Sequence, residues 1–162
     1  AGESGRHGDI SASFLGVLVA GLRGSECRAR TKDTKVKSGT LLKKFGKGMI
    51  SYPDIVVICG EPQYHDKRND VVLNQKVIIE VLSESTEDFD RGTKFMRFRS
   101  FNDSLTDYIL VSQDKPLIEH FIRQPNGDWL LKEYKGLTNQ FQIDSISCSL
   151  KLSEIYDRVE FD

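Results

Sequence analysis

The stretch Lys76-Val-Ile-Ile-Glu-Val-Leu-Ser83 constrains the fold more than any other part of the chain. Its β-branched and long aliphatic residues, in a run of about eight, read as a central strand covered on both faces, as in sheets packed between two layers. One carboxylate, Glu80, interrupts the run. An unpaired carboxylate in such a place costs several kcal/mol. A bound cation, a neighbouring Lys or Arg, or a pKa raised until the group is neutral must therefore accompany it.

The surrounding pattern gives this strand its neighbours. Apolar residues at Ile10, Phe14, Leu15, Val17, Leu18 and Leu22 follow the helical period and predict a core-facing helix over 7–23, stopped by Gly24 and Ser25. Alternation over 26–31 predicts a half-exposed strand, continued or paired by 34–37, and 38–48 reads as a loop. Residues 50–59 read as a second buried strand entered through Pro53, and 60–72 as a polar loop. After the 75–82 strand, Ser83-Glu-Ser-Thr-Glu-Asp offers helix-capping residues before a helix over 88–101, with Phe95, Phe98 and Phe101 on one side. The 107–112 strand then completes a strand-helix-strand unit, which implies parallel pairing. Asn126-Gly127 between 117–124 and 129–134 marks an antiparallel hairpin. A short helix over 152–158 closes the chain. These elements predict an α/β domain with a mixed central sheet.

At 162 residues the chain suits one domain, 1–162, with a substantial core. No apolar run is long enough to span a bilayer, so no membrane segment is expected. Three widely spaced cysteines, Cys27, Cys59 and Cys148, argue against a disulfide framework or a zinc knuckle and favour a reducing cytoplasm. Position 1 is Ala, so further sequence upstream is expected. Net charge is −1, yet residues 23–49 hold nine basic and two acidic side chains, a local +7 that leaves −8 for the rest. Such asymmetry suits a phosphate-facing patch beside an acidic, cation-binding region, or equally a lysine-rich solvated hairpin.

Each buried strand carries one acid: Asp54 directly after Pro53, and Glu80, 26 residues on. If the strands are neighbours the carboxylates meet. Mg²⁺ typically takes one or two carboxylates and completes its shell with water and substrate phosphate. The competing reading makes Asp54 a turn former and Glu80 an ion-pair partner.

Tyr52-Pro53-Asp54, then Glu80-Val81-Leu82-Ser83-Glu84-Ser85-Thr86, then Asp90-Arg91-Gly92-Thr93-Lys94, resembles the Uma-type restriction endonucleases, a family of PD-(D/E)xK nuclease-like domains. The resemblance extends through Tyr108–Gln113, Glu119-His120-Phe121, Glu133-Tyr134 and Glu154–Val159. It implies a restriction-endonuclease-like fold, a mixed central sheet flanked by helices, and a metal-dependent site cleaving DNA. Asp54 matches the first acid of the motif and Glu80 the second, both as ligands of Mg²⁺ or Mn²⁺. Leu82 stands where the general motif has its lysine, and the resemblance relocates that cation to Lys94, with Lys76 as the local competitor. Asp90 and Lys94, four apart, could instead pair at the surface.

The basic residues Lys35, Lys37, Lys43, Lys44 and Lys47 are candidates for gripping the DNA backbone. Gln75 could reach a metal-bound phosphate, and His7 could line the cleft. Ser83, Ser85 and Thr86 are better read as helix-start residues than as nucleophiles. Trp129 and Tyr134 are read as packing residues. The family implies a homodimer. The leading expectation is thus a Mg²⁺-dependent endonuclease, against a catalytically inactive nucleic-acid-binding or assembly module, and a hydrolase of some other substrate.

Overall fold

The computed structural model describes residues 3–38, 48–65 and 67–162. In chain order it contains helix α1 (Gly5–Leu22) and strands β1 (Cys27–Thr31), β2 (Lys35–Ser38), β3 (Met49–Ser51), β4 (Ile55–Cys59), β5 (Val71–Val72) and β6 (Gln75–Val81). Helices α2 (Glu87–Phe89) and α3 (Phe95–Phe101) follow, joined by a π-helical turn (Asp90–Lys94). Strands β7 (Asp107–Val111), β8 (Leu117–Arg123), β9 (Trp129–Lys135), β10 (Gln140–Ile143) and β11 (Cys148–Lys151) lead to helix α4 (Leu152–Ile155).

The apolar run becomes β6, an inner strand of a six-stranded sheet ordered β1-β4-β6-β7-β8-β9. β6 and β7 are parallel, as a strand-helix-strand unit requires, and the other pairs are antiparallel. Alternate residues of β6 serve two cores. Val77, Ile79 and Val81 face α1, β10, β11 and α4, whereas Ile78 lies in a second cluster with Phe95 and Phe98 of α3, Val36 of β2 and Val72 of β5. Period-two alternation fixes this division, so Glu80 is delivered to the side of α3. Helix α1 buries Ile10, Phe14, Leu18 and Leu22, one per turn, and ends before Gly24, whose φ of +79° favours glycine.

Four expectations change. Strand β2 neither continues nor pairs with β1, because it lies in a separate three-stranded sheet between β3 and β5. The 50–59 strand is two strands in different sheets. Pro53 lacks the N–H that a continuous ladder needs, so β3 pairs with β2, and β4 resumes in the main sheet. Part of the expected polar loop is β5, which pairs in parallel with β2. Finally, Cys27 and Cys59 stand directly opposite in the β1/β4 register and form a disulfide, which leaves Cys148 free and buried. Sequence separation concealed what strand register brings together, and the cysteine spacing no longer argues for a reducing cytoplasm. No helix among the described residues is long and apolar enough to cross a membrane.

Candidate active site

The register between β4 and β6 pairs Ile55 with Ile79. One step further, Asp54 comes opposite Glu80, and residues opposite each other on antiparallel strands share a face. Both line a cavity of about 380 Å³, together with His7, Ser83, Asp90 and Lys94. Main sheet, α1 and the π-helical turn thus each contribute chemistry to one place.

Asp54 is held from two directions. Its Oδ2 accepts the Val81 backbone N–H at 2.8 Å and lies 3.2 Å from His7 Nε2. His7 Nδ1 in turn lies 2.8 Å from Glu3 Oε2. The hydrogen bond to Asp54 raises the His7 pKa against a smaller opposing effect of burial. The N-terminus of α1 is thereby tied to the rim of the sheet.

Glu80 is 4% exposed, Asp90 3% and Lys94 6%. Lys94 Nζ contacts Glu80 Oε1 and lies 3.4 Å from Asp90 Oδ1. Burial pushes the Glu80 carboxyl up to about 8; the Lys94 ammonium opposes this, while Asp90 and Asp54 add to it. Burial likewise raises Asp90, against the pull of Lys94. For Lys94 burial acts downward, but the two carboxylates outweigh it and hold the ammonium above its ordinary value. Asp90 and Lys94 therefore do pair, yet inside the cavity and not at the surface. Both residues sit on the π-helical turn, which is anchored where the Tyr108 hydroxyl donates to the Asp90 carbonyl at 2.8 Å while the Tyr108 ring stacks on Phe95 at 4.5 Å. Such turns recur at functional sites.

Other sequence candidates lie elsewhere. Gln75 begins β6, five residues from Glu80 and thus roughly 17 Å along the strand. It does not line the cavity, and its buried amide has no hydrogen-bond partner among the described residues, so it cannot reach a phosphate held there. Lys76 falls at the β4/β6 bulge and is also absent from the lining. On β2, Lys35 pairs with Asp70 at 2.9 Å, and Lys37 Nζ lies 3.2 Å from His65 Nε2. Lys43, Lys44 and Lys47 lie outside the described residues. Thr86 stands at the start of α2 without a side-chain capping bond; its hydroxyl and that of Ser85 are shared with Ser83. Trp129 packs edge-on against Phe95, and Tyr134 against Phe141. Asp90, expected at the surface, is instead a buried residue of the cavity. Its spacing from Lys94 signalled the pair, but burial depends on the α3 packing.

Among the described residues no group of three or more His, Cys, Asp or Glu side chains is assembled around a metal position. The donor chemistry nevertheless fits a hard divalent ion. Asp54 and Glu80 offer carboxylate oxygens, the number Mg²⁺ draws from protein, in a cavity with room for waters and a phosphate.

The comparisons bear on the fold and the family. The chain resembles a crystal structure titled a putative nuclease belonging to DUF820 from Anabaena variabilis, with a TM-score of 0.76 over 99% of this chain and 85% of that one, at 12% identity. The likeness gives the fold, a restriction-endonuclease-like mixed sheet flanked by helices. An uncharacterized Synechocystis protein, slr1290, is 30% identical over 160 residues, covering 99% of this chain and 79% of its own length. A second Synechocystis protein, sll1609, also uncharacterized, is 38% identical over 85 residues, 52% of this chain and 48% of its own. The model of the Uma2 family, described as "Putative restriction endonuclease", matches residues 1–153. The chain belongs to the Uma2 family.

Proposed function

We propose that this protein is a metal-dependent endonuclease that hydrolyses DNA phosphodiester bonds. One observation carries the reading: Asp54, Glu80 and Lys94, drawn from three separate segments, line a single cavity, with Glu80 and Lys94 buried at evident electrostatic cost. A buried ion pair contributes little to stability compared with apolar packing, so stability alone is a poor reason for these residues.

Asp54 and Glu80 would hold Mg²⁺ or Mn²⁺. When bound, the ion supplies a bound water of lowered pKa and charge stabilisation at the phosphate. Val81 N–H and His7 both engage Oδ2 of Asp54 and so restrain the carboxylate, which lowers the entropic cost of holding an ion. Lys94 Nζ, already cationic between two acids, donates to the attacking water or to a non-bridging phosphate oxygen. The basic residues Lys35, Lys37, Lys43, Lys44 and Lys47 grip the DNA backbone, and such contacts give affinity without sequence information. A homodimer would place one such site on each strand of a duplex.

The test is nicking of supercoiled plasmid in Mg²⁺ or Mn²⁺ by the wild type and by Asp54→Ala, Glu80→Ala and Lys94→Ala. Nicking by the wild type alone supports the reading; equal nicking by all four contradicts it. The second reading, an inactive DNA-binding module, is favoured by Leu82 in place of the motif lysine and by the engagement of Lys94 with both acids. It predicts DNA binding with no nicking by any of the proteins.

A further inference from the structure

Eight large hydrophobic side chains are exposed among the described residues, and three of them, Ile50, Tyr52 and Phe89, line the cavity that holds the acids. Scattered exposed apolar residues are ordinary, but their gathering around a cavity lined by three buried charged side chains is not. Tyr52 is 54% exposed and Phe89 44%. Neither ring packs on another aromatic among the described residues. Tyr52 precedes Asp54 by two residues and Phe89 precedes Asp90 by one. At no more than about 3.6 Å per residue, each backbone position lies within about 7 Å of that of an acid, and both side chains line the cavity that the acids line.

We propose that Tyr52 and Phe89 form a stacking platform for one unpaired base, so that the favoured substrate carries a single-stranded, bulged or splayed nucleotide at the scissile position. The inference rests on the nuclease reading above and names the form of DNA that the cavity takes. Aromatic faces stack on any base and so need no particular sequence. Inside a continuous duplex, however, each base is covered by its neighbours, and a platform meets a base only after it leaves the stack. The cavity, at about 380 Å³, lies at the small end of ligand pockets and suits one nucleotide, not a double helix. A base seated on the rim sets its adjoining phosphodiester over Asp54 and Glu80.

The test measures Mn²⁺-supported cleavage of one labelled oligonucleotide sequence as a single strand, as a duplex with a one-nucleotide bulge, and as a continuous duplex. The first two are expected to be cut at least about 10-fold faster than the third. Tyr52→Ala and Phe89→Ala should each lower that preference roughly 10-fold, as expected for loss of one stacked base. Both leave Mn²⁺ affinity by calorimetry unchanged, and Tyr52→Phe and Phe89→Tyr, which keep a ring, retain the preference. Equal rates on the three forms, Ala variants with undiminished preference, or an equal loss on all three forms overturn the platform and leave the nuclease reading standing. Absence of cleavage of every form overturns both.

Discussion

At Glu80, burial lifts the carboxyl pKa from an ordinary 4.5 to about 8, and the linkage with stability has a definite sign. Between these values the unfolded chain has released a proton that the folded chain still holds, so folding stability falls as pH rises, and the loss is complete above about 8. Glu80→Gln removes this dependence. Its stability relative to wild type should therefore grow as pH rises from 4.5 towards 8 and level off above. Denaturant melts of both proteins at pH 5, 7 and 9 check this; a constant difference would mean that Glu80 is ionised throughout. Glu80 was legible because a lone acid in an apolar run demands explanation. The contact between His7 and Asp54 was less so, since 47 residues separate them and only the packing of α1 on the sheet unites them.

Among the elements, the π-helical turn carries the geometry that presents Asp90 and Lys94 together. Tyr108→Phe deletes one hydroxyl and its bond to the Asp90 carbonyl while preserving the stack on Phe95. A stability loss of about 1 kcal/mol is expected, with a fall in nicking rate larger than the same loss produces at a site far from the cavity. An unchanged rate would detach the turn from function. The Cys27–Cys59 bond closes a loop across 32 positions, so Cys59→Ser should cost about 3 to 4 kcal/mol by loop entropy, read from denaturant midpoints without reductant. The long periodic elements α1, β6, β7 and the β8/β9 hairpin were legible from apolar spacing and from Asn126-Gly127. The break at Pro53, the two-residue β5 and the β10/β11 pair were not, because such short strands are defined by the partners they find and not by their own pattern.

For the molecule as a whole, the segment that carries the basic excess borders the cavity through the strand paired with it. The basic β2 pairs with β3, and Met49, Ile50 and Ser51 of β3 line the cavity that holds the acids. Replacing Lys43, Lys44 and Lys47 together by Ala should reduce the slope of log affinity against log salt by about 2 to 3, since each phosphate contact contributes about 0.7 on single strands and 0.9 on duplex. Fluorescence anisotropy over a salt series checks it, and an unchanged slope would remove these lysines from the DNA interface. The order of fold and site was readable because the motifs around Asp54, Glu80 and Lys94 keep their sequence along the chain. An ion-pair partner for Glu80 was anticipated, but that Lys94 serves Glu80 and Asp90 together was not, because it depends on three side chains meeting in a volume that no single segment defines. The most direct measurement is the anomalous scattering map of crystals grown with Mn²⁺. The account predicts one peak within bonding distance of carboxylate oxygens of both Asp54 and Glu80, absent in Asp54→Ala crystals. A cavity without a peak, with Lys94 still closed on Glu80, would contradict it.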